Sequence, residues 1–177
     1  MNLLLFAGNS QRNKTWIHTV GETLSPDFEK CVVHNYKHWD TGAESIDLDL
    51  ELSRLNATVE KLDSYAVFAK SVGSILTLKA ISQGIIDPNH CIFAGLPIKL
   101  AEEDGIPLQA LIKNNSIPTM YIQNSNDPVA SYSQLFSYLQ EFSSKQYATT
   151  ELPGDTHSYD DLDEMRSLIT SFVYHVK

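Results

Sequence analysis

The chain has 177 residues, 42% of them hydrophobic and 20% charged, which describes one ordinary globular domain spanning 1–177. Its formal net charge of −9 argues against a nucleic-acid or anionic-membrane partner, either of which needs a basic face. No apolar run approaches the roughly 20 residues of a membrane span. The first residues enter a strand without the basic region and cleavage site of a signal peptide, so a cytoplasmic protein is expected.

The elements alternate along the chain. Strands are predicted at 2–7, 31–36, 65–70, 90–95, 118–123 and 146–152. Helices are predicted at 14–24, 44–62, 72–83, 98–114, 131–143 and 160–175, the fourth interrupted by Asp104-Gly105-Ile106-Pro107. Leu48, Leu52, Leu55, Val59 and Leu62 form the apolar stripe of the second helix, and Ser25-Pro26-Asp27 and Asp87-Pro88 are turns. This alternation implies a three-layer α/β/α domain around a mostly parallel six-stranded sheet. Cys31 and Cys91 both fall in strands and are expected as buried free thiols.

After the second strand come His34, Tyr36, His38 and Trp39. The two histidines have metal-ligand spacing only on a helix, whereas Cys31-Val-Val is strand-like, so no metal is expected. Trp39 is a candidate substrate-binding wall, with core packing as the other use of that ring. Gly8-Asn9-Ser10 is too short for a phosphate loop, and no cofactor is expected.

The most informative segment is Tyr65-Ala-Val-Phe-Ala-Lys-Ser71-Val72-Gly73, a strand running straight into a helix with Ser71 at the apex. Small residues flank the apex, as a strained strand-to-helix turn requires, with Ala69 two before and Gly73 two after. The bland reading is a serine capping an ordinary helix. Lys70 beside it reads as a solvated or structurally paired lysine. Asp127 follows the strand that Pro118 opens and Asn124-Ser-Asn closes; otherwise it is a turn acid or helix cap. His157 lies in the loop Leu152-Pro-Gly-Asp-Thr-His157, with a plain surface histidine as the alternative, and Asp155 is the nearest substitute acid. The order Ser, Asp, His, each just past a successive strand, is the order of an α/β-hydrolase triad.

On Leu3-Leu-Leu-Phe-Ala-Gly8-Asn9, Ala69-Lys-Ser71-Val72-Gly73, Asn126-Asp127-Pro128 and Gly154-Asp-Thr-His157, the chain resembles the α/β-hydrolase superfamily. Among its members it is most like the small, single-domain, lidless bacterial serine hydrolases. It departs from their pattern at Ala69, where a glycine is common, and at Ala7, where many carry histidine. The resemblance implies the spatial strand order 2-1-3-4-5-6 and a minimal cap formed by 98–115. It also implies Ser71 as nucleophile, His157 as base, Asp127 as its orienting acid, and the backbone N–H groups of Asn9 and Val72 as the oxyanion hole. The expected function is a serine hydrolase that cleaves a small carboxylic ester, or a thioester or amide, through an acyl-enzyme. Its partner would be a small-molecule ester, with no nucleic acid or membrane, and no residue pattern sets an oligomeric state. Two alternatives stand beside it: a binding or regulatory protein that keeps the fold with weak or no catalysis, and a flavodoxin-like binding domain.

Overall fold

Six apolar strands dictate the architecture. Leu3, Leu4, Leu5 and Phe6, then Ala66, Val67, Phe68 and Ala69, are fully buried on both faces of their strands, and only a sheet covered by helices on both sides buries such runs. The computed structural model describes residues 1–60, 62–143 and 147–175. Its strands are β1 (Asn2–Phe6), β2 (Cys31–Val33), β3 (Tyr65–Lys70), β4 (His90–Ala94), β5 (Thr119–Asn124) and β6 (Tyr147–Leu152). They form one sheet in the order β2-β1-β3-β4-β5-β6, every neighbouring pair parallel, as expected from the resemblance.

The helices are α1 (Arg12–Leu24), α2 (His38–Thr41), α3 (Leu48–Val59), α4 (Val72–Ser82), α5 (Ile98–Glu103), α6 (Leu108–Asn114), α7 (Tyr132–Phe142) and α8 (Leu162–His175). One face of the sheet carries α1 and α8, which pack on each other; α3, α4, α6 and α7 form a contiguous layer over the other. At the carboxyl edge, Phe6 pairs with Ala69, Lys70 with Ala94, and Asn124 with Leu152. That register brings the loops after β1, β3, β4, β5 and β6 to one rim. Among the described residues no helix is long and apolar enough to cross a membrane.

The predicted boundaries shift at particular residues. The second strand stops at Val33: the His34 N–H still reaches the Leu5 carbonyl at 3.0 Å, but its imidazole turns inward to Glu51 and the chain leaves the sheet into α2. The second long helix begins at Leu48, because Asp47 in extended conformation accepts the Leu50 N–H at 3.0 Å and so caps it. The break in the fourth helix is real, with Gly105 left-handed between α5 and α6. Lys61 and Gln146, placed by sequence in a helix and a strand, lie outside the described residues. Cys31 and Cys91 are free, with Cys91 buried and Cys31 half-buried.

A close approach in the framework joins α4 to β1. A β-carbon at Gly73 would lie 2.7 Å from the Ala7 carbonyl oxygen and 2.8 Å from Phe6 Cβ. Both obstacles are held by the sheet, so Gly73→Ala must push α4 away from β1. Overpacking of this kind costs about 1–3 kcal/mol, a fall of roughly 2–4 °C per kcal/mol in a domain of this size. Thermal denaturation followed by circular dichroism should show that fall. An unchanged midpoint would mean that the helix has room to move.

Candidate active site

Ser71 has φ 53° and ψ −126°, the one non-glycine residue with positive φ among those described. Such a conformation costs on the order of 1–3 kcal/mol and persists only when its surroundings enforce it. Here the Ser71 N–H donates to the Ala94 carbonyl at 3.0 Å, and its carbonyl accepts the Ser74 N–H at 2.8 Å. The backbone is thus held between β4 and the first turn of α4, and the side chain is left half-exposed at the rim. The Val72 N–H, first in the helix, has no acceptor among the described residues.

The loop after β1 is braced from behind by the segment that follows β2. The Tyr36 hydroxyl donates to the Ala7 carbonyl at 2.8 Å; His38 Nε2 and Trp39 Nε1 donate to the Asn9 carbonyl at 2.7 and 3.1 Å. Asn9 itself binds this segment, its Oδ1 accepting the Ile46 N–H and its Nδ2 donating to the Glu44 carbonyl. With carbonyls held on both sides of Gly8, the peptide between Gly8 and Asn9 keeps one orientation, and the Asn9 N–H has no acceptor among the described residues. Because a carbonyl only accepts, His38 carries its proton on Nε2. His34 is paired with Glu51 and Thr58 on the same side. Among the described residues no group of three His, Cys, Asp or Glu side chains is placed to hold a metal ion.

Asp127 is 2% exposed. Its Oδ1 accepts the Val129 N–H at 2.9 Å, while Oδ2 accepts His157 Nδ1 and the Tyr159 hydroxyl, each at 2.8 Å. Burial pushes its pKa up, but the hydrogen bond and charge of His157, with the Val129 and Tyr159 donors, outweigh burial and hold it below the ordinary carboxylate range. Tyr159 stays a phenol, its pKa raised by burial and by the neighbouring Asp127 charge. Since Nδ1 donates to Asp127, neutral His157 has its free lone pair on Nε2, an atom shielded from solvent and without a hydrogen-bond partner. The His157 loop is fastened by Asn124, whose Nδ2 donates to the Thr156 and Ser158 carbonyls, both at 2.9 Å.

The imidazole lies against the end of β4. A β-carbon at Gly95, which is left-handed with φ +65°, would be 2.7 Å from His157 Cε1 and 2.8 Å from Tyr159 Cε2. Gly95 follows Ala94, the residue that accepts the Ser71 N–H, so imidazole and serine share one corner of the sheet edge. The expected hydrogen-bonded chain is half formed: Asp127 and His157 are joined, while no hydrogen bond links the Ser71 hydroxyl to His157 Nε2. Catalytic hydrogen bonds commonly tighten only with substrate bound.

Trp39 is largely buried, with its ring against Tyr36 and His38, and braces the Asn9 carbonyl; its remaining surface borders an open cleft of about 790 Å³ with Asn9, Ser10 and Gly42. Lys70 is buried rather than solvated, 6% exposed against α1, because the alternation of β3 turns it into the layer that Trp16 and Asn13 cover. Sequence reading missed Tyr159, Gly95, Asn124 and the bracing role of His38. Tyr159 lies two residues past the histidine and Gly95 ends a strand, but neither position carries a pattern that separates it from loop residues at large.

No protein-family model matches the chain, and no curated protein matches it in sequence. Among solved structures, it superposes on an α/β serine hydrolase without a lid from Xanthomonas campestris with TM-score 0.72 and 19% identity, over 97% of this chain and 80% of that one. A serine hydrolase homologue from Coxiella burnetii aligns with TM-score 0.73 and 16% identity, over 96% and 83%. Est1E of Butyrivibrio proteoclasticus, in a structure with ferulic acid bound, aligns with TM-score 0.76 and 15% identity, over 97% and 87%. The chain has the α/β-hydrolase fold.

The depressed Asp127 pKa makes a claim about stability. A carboxyl whose pKa is lower folded than unfolded stabilises the fold fully above its ordinary value of 3.8, and that contribution disappears as the pH falls through 3.8 toward the folded value. Asp127→Asn cannot show this loss. The difference in melting temperature between wild type and Asp127→Asn should therefore be largest at neutral pH and shrink below pH 3.8. A constant difference from neutral to strongly acidic pH would show that the carboxylate is not stabilised by its partners.

Proposed function

We propose that the protein is a serine hydrolase that cleaves small carboxylic esters through an acyl-enzyme. The observation that carries this reading is the pairing of a strained, rim-exposed Ser71 with an imidazole whose Nδ1 is engaged by a buried carboxylate and whose Nε2 has no other use. A buried acceptor nitrogen without a partner is costly in a purely structural role, and a nucleophile's proton is what it lacks.

In this mechanism Ser71 Oγ bonds to the ester carbonyl carbon while His157 Nε2 takes the hydroxyl proton. Asp127 keeps the imidazole in the required tautomer and stabilises the imidazolium. The carbonyl electron pair moves onto oxygen, where the N–H groups of Asn9 and Val72 receive it; losing one such donor typically costs about 3–4 kcal/mol. Collapse expels the alcohol, which takes the proton from His157, and water then repeats the sequence on the acyl-Ser71. Thioesters and amides fit the same machinery and differ in the leaving group. The serine hydrolase neighbours support this class of reaction for the fold.

A second reading, a binding protein that retains the fold, draws on the missing Ser71–His157 hydrogen bond. Fluorophosphonate labelling separates the two. Wild type should label once, at Ser71, and should turn over p-nitrophenyl acetate. Ser71→Ala should abolish both while leaving the melting temperature within about 1–2 °C, since a half-exposed hydroxyl contributes little packing. Folded wild type that neither labels nor turns over would establish the binding protein.

Substrate size follows from the thin cap. Where a cap is expected, the chain forms only α5 and α6, of 6 and 7 residues, and α6 packs into the layer between α4 and α7. We place the acyl chain along the rim from Ser71 toward the open cleft that Asn9 and the remaining surface of Trp39 border, a cleft whose lining includes neither Ser71 nor His157. Each buried CH₂ contributes about 0.8 kcal/mol, so lengthening the acyl chain improves kcat/KM only until the added carbons lie in water. Acetyl to butyryl p-nitrophenyl esters should be preferred, and an optimum at decanoyl or longer would refute the shallow cleft.

A further inference from the structure

Two polar side chains beneath the Gly8 loop have no part in the mechanism above, and they touch each other. The Lys70 ammonium lies 5.6 Å over the Trp16 ring and 3.4 Å from Asn13 Oδ1. Burial lowers the Lys70 pKa, opposed by the negative charges of Asp127 and Asp160. Burying an ammonium group costs free energy that an aliphatic side chain at the same place would not. Its position, next in sequence to the nucleophile, therefore calls for a use.

An ammonium group has donors only, so it selects one orientation of the Asn13 amide, with Oδ1 toward Nζ and Nδ2 away from it. The nitrogen then faces Gly8. A β-carbon built at Gly8 would lie 2.8 Å from Asn13 Nδ2 and 3.4 Å from Ser71 Cβ, so the amide nitrogen and the nucleophile flank one small volume that the glycine leaves open. Asn13 Nδ2 donates to no acceptor among the described residues, and the residue is half-buried in the first turn of α1.

Resting on the reading of Ser71 as nucleophile, we infer that Asn13 Nδ2 is a third donor to the oxyanion, beside the Asn9 and Val72 N–H groups, and that Lys70 is a positioning residue that sets the orientation of that amide. As Ser71 Oγ bonds to the carbonyl carbon and His157 takes the proton, the pair displaced onto oxygen is met by an N–H that donates a hydrogen bond and keeps its proton. The side-chain donor adds to the backbone pair in the transition state, where the oxygen is charged, more than in the ground state.

The test is steady-state hydrolysis of p-nitrophenyl acetate, with fluorophosphonate labelling and melting temperature measured on the same samples. Asn13→Ala should lower kcat by about 10- to 100-fold with KM within twofold, and Ser71 should still label, more slowly. Asn13→Asp, which keeps a partner for Lys70, should fold normally and fall at least as far, because a carboxylate repels the oxyanion. Lys70→Met should lower kcat several-fold in the wild-type background and not at all in Asn13→Ala, since its effect passes through the amide; Lys70→Arg should recover part of the loss. A merely structural lysine would lower the melting temperature and act equally in both backgrounds, which would overturn its positioning role. Wild-type kcat in both Asn13 variants, or a rise in KM alone, would overturn the third donor while leaving the serine hydrolase standing. Absence of turnover and labelling in the wild type would overturn both.

Discussion

The approach of α4 to β1 is the constraint on which the site depends. Because Gly73 presents no side chain to the Ala7 carbonyl, the N-terminus of α4 comes down directly beside the end of β1. The pairing of Phe6 with Ala69 holds the two strand ends level, so the Gly8-Asn9 loop and the Ser71 turn form neighbouring walls of one corner. The Asn9 N–H, from a loop, and the Val72 N–H, from a helix start, neither with an acceptor among the described residues, therefore lie on neighbouring elements of that corner. The strain at Ser71 is the local cost of this arrangement, offset by the hydrogen bonds of its N–H and carbonyl and by the burial of α4 from Val72 to Leu78.

Around that corner the protein builds rigidity with buried polar groups rather than with a lid. Tyr36, His38 and Trp39 secure the first loop through carbonyls; Asn124 secures the histidine loop in the same way; Tyr159 shares Asp127 with His157. Each bond fixes a backbone segment or a ring beside a group that the proposed mechanism uses, and leaves the Ser71–His157 hydrogen bond as the contact still to form. Preorganised donors lose little reorganisation free energy in the transition state, which suits a site left open to water. Asp127 stays ionised despite burial because its donors converge on it, and the same convergence fixes the tautomer of His157.

The behaviour of the histidines separates position from role. His34 and His38 sit four apart in sequence, a spacing that invites a metal reading, yet one faces Glu51 and the other the Asn9 carbonyl. The segment is neither strand nor continuous helix there: β2 ends at Val33 and α2 begins only at His38. Spacing becomes geometry only within a regular element, and this stretch crosses the boundary of two.

The sequence by itself determined the alternation of strands and helices, hence the parallel sheet, because continuous apolar runs of strand length and amphipathic stripes of helical period leave one layered arrangement. It also marked Ser71, Asp127 and His157, since each follows a strand and strand ends converge at one edge of such a sheet. Strand order came through resemblance rather than periodicity, because pairing is a property of hydrogen bonds between distant segments. What only the tertiary structure decided are the contacts made by groups with no pattern of their own: Tyr159 on Asp127, Gly95 under His157, Trp39 turned inward to a carbonyl, and Lys70 buried against Asn13. The physical reason is that local sequence specifies period and turn chemistry, whereas the partner of a buried polar atom is chosen by whichever acceptor the packed layers bring within about 3 Å, across separations the chain does not encode locally.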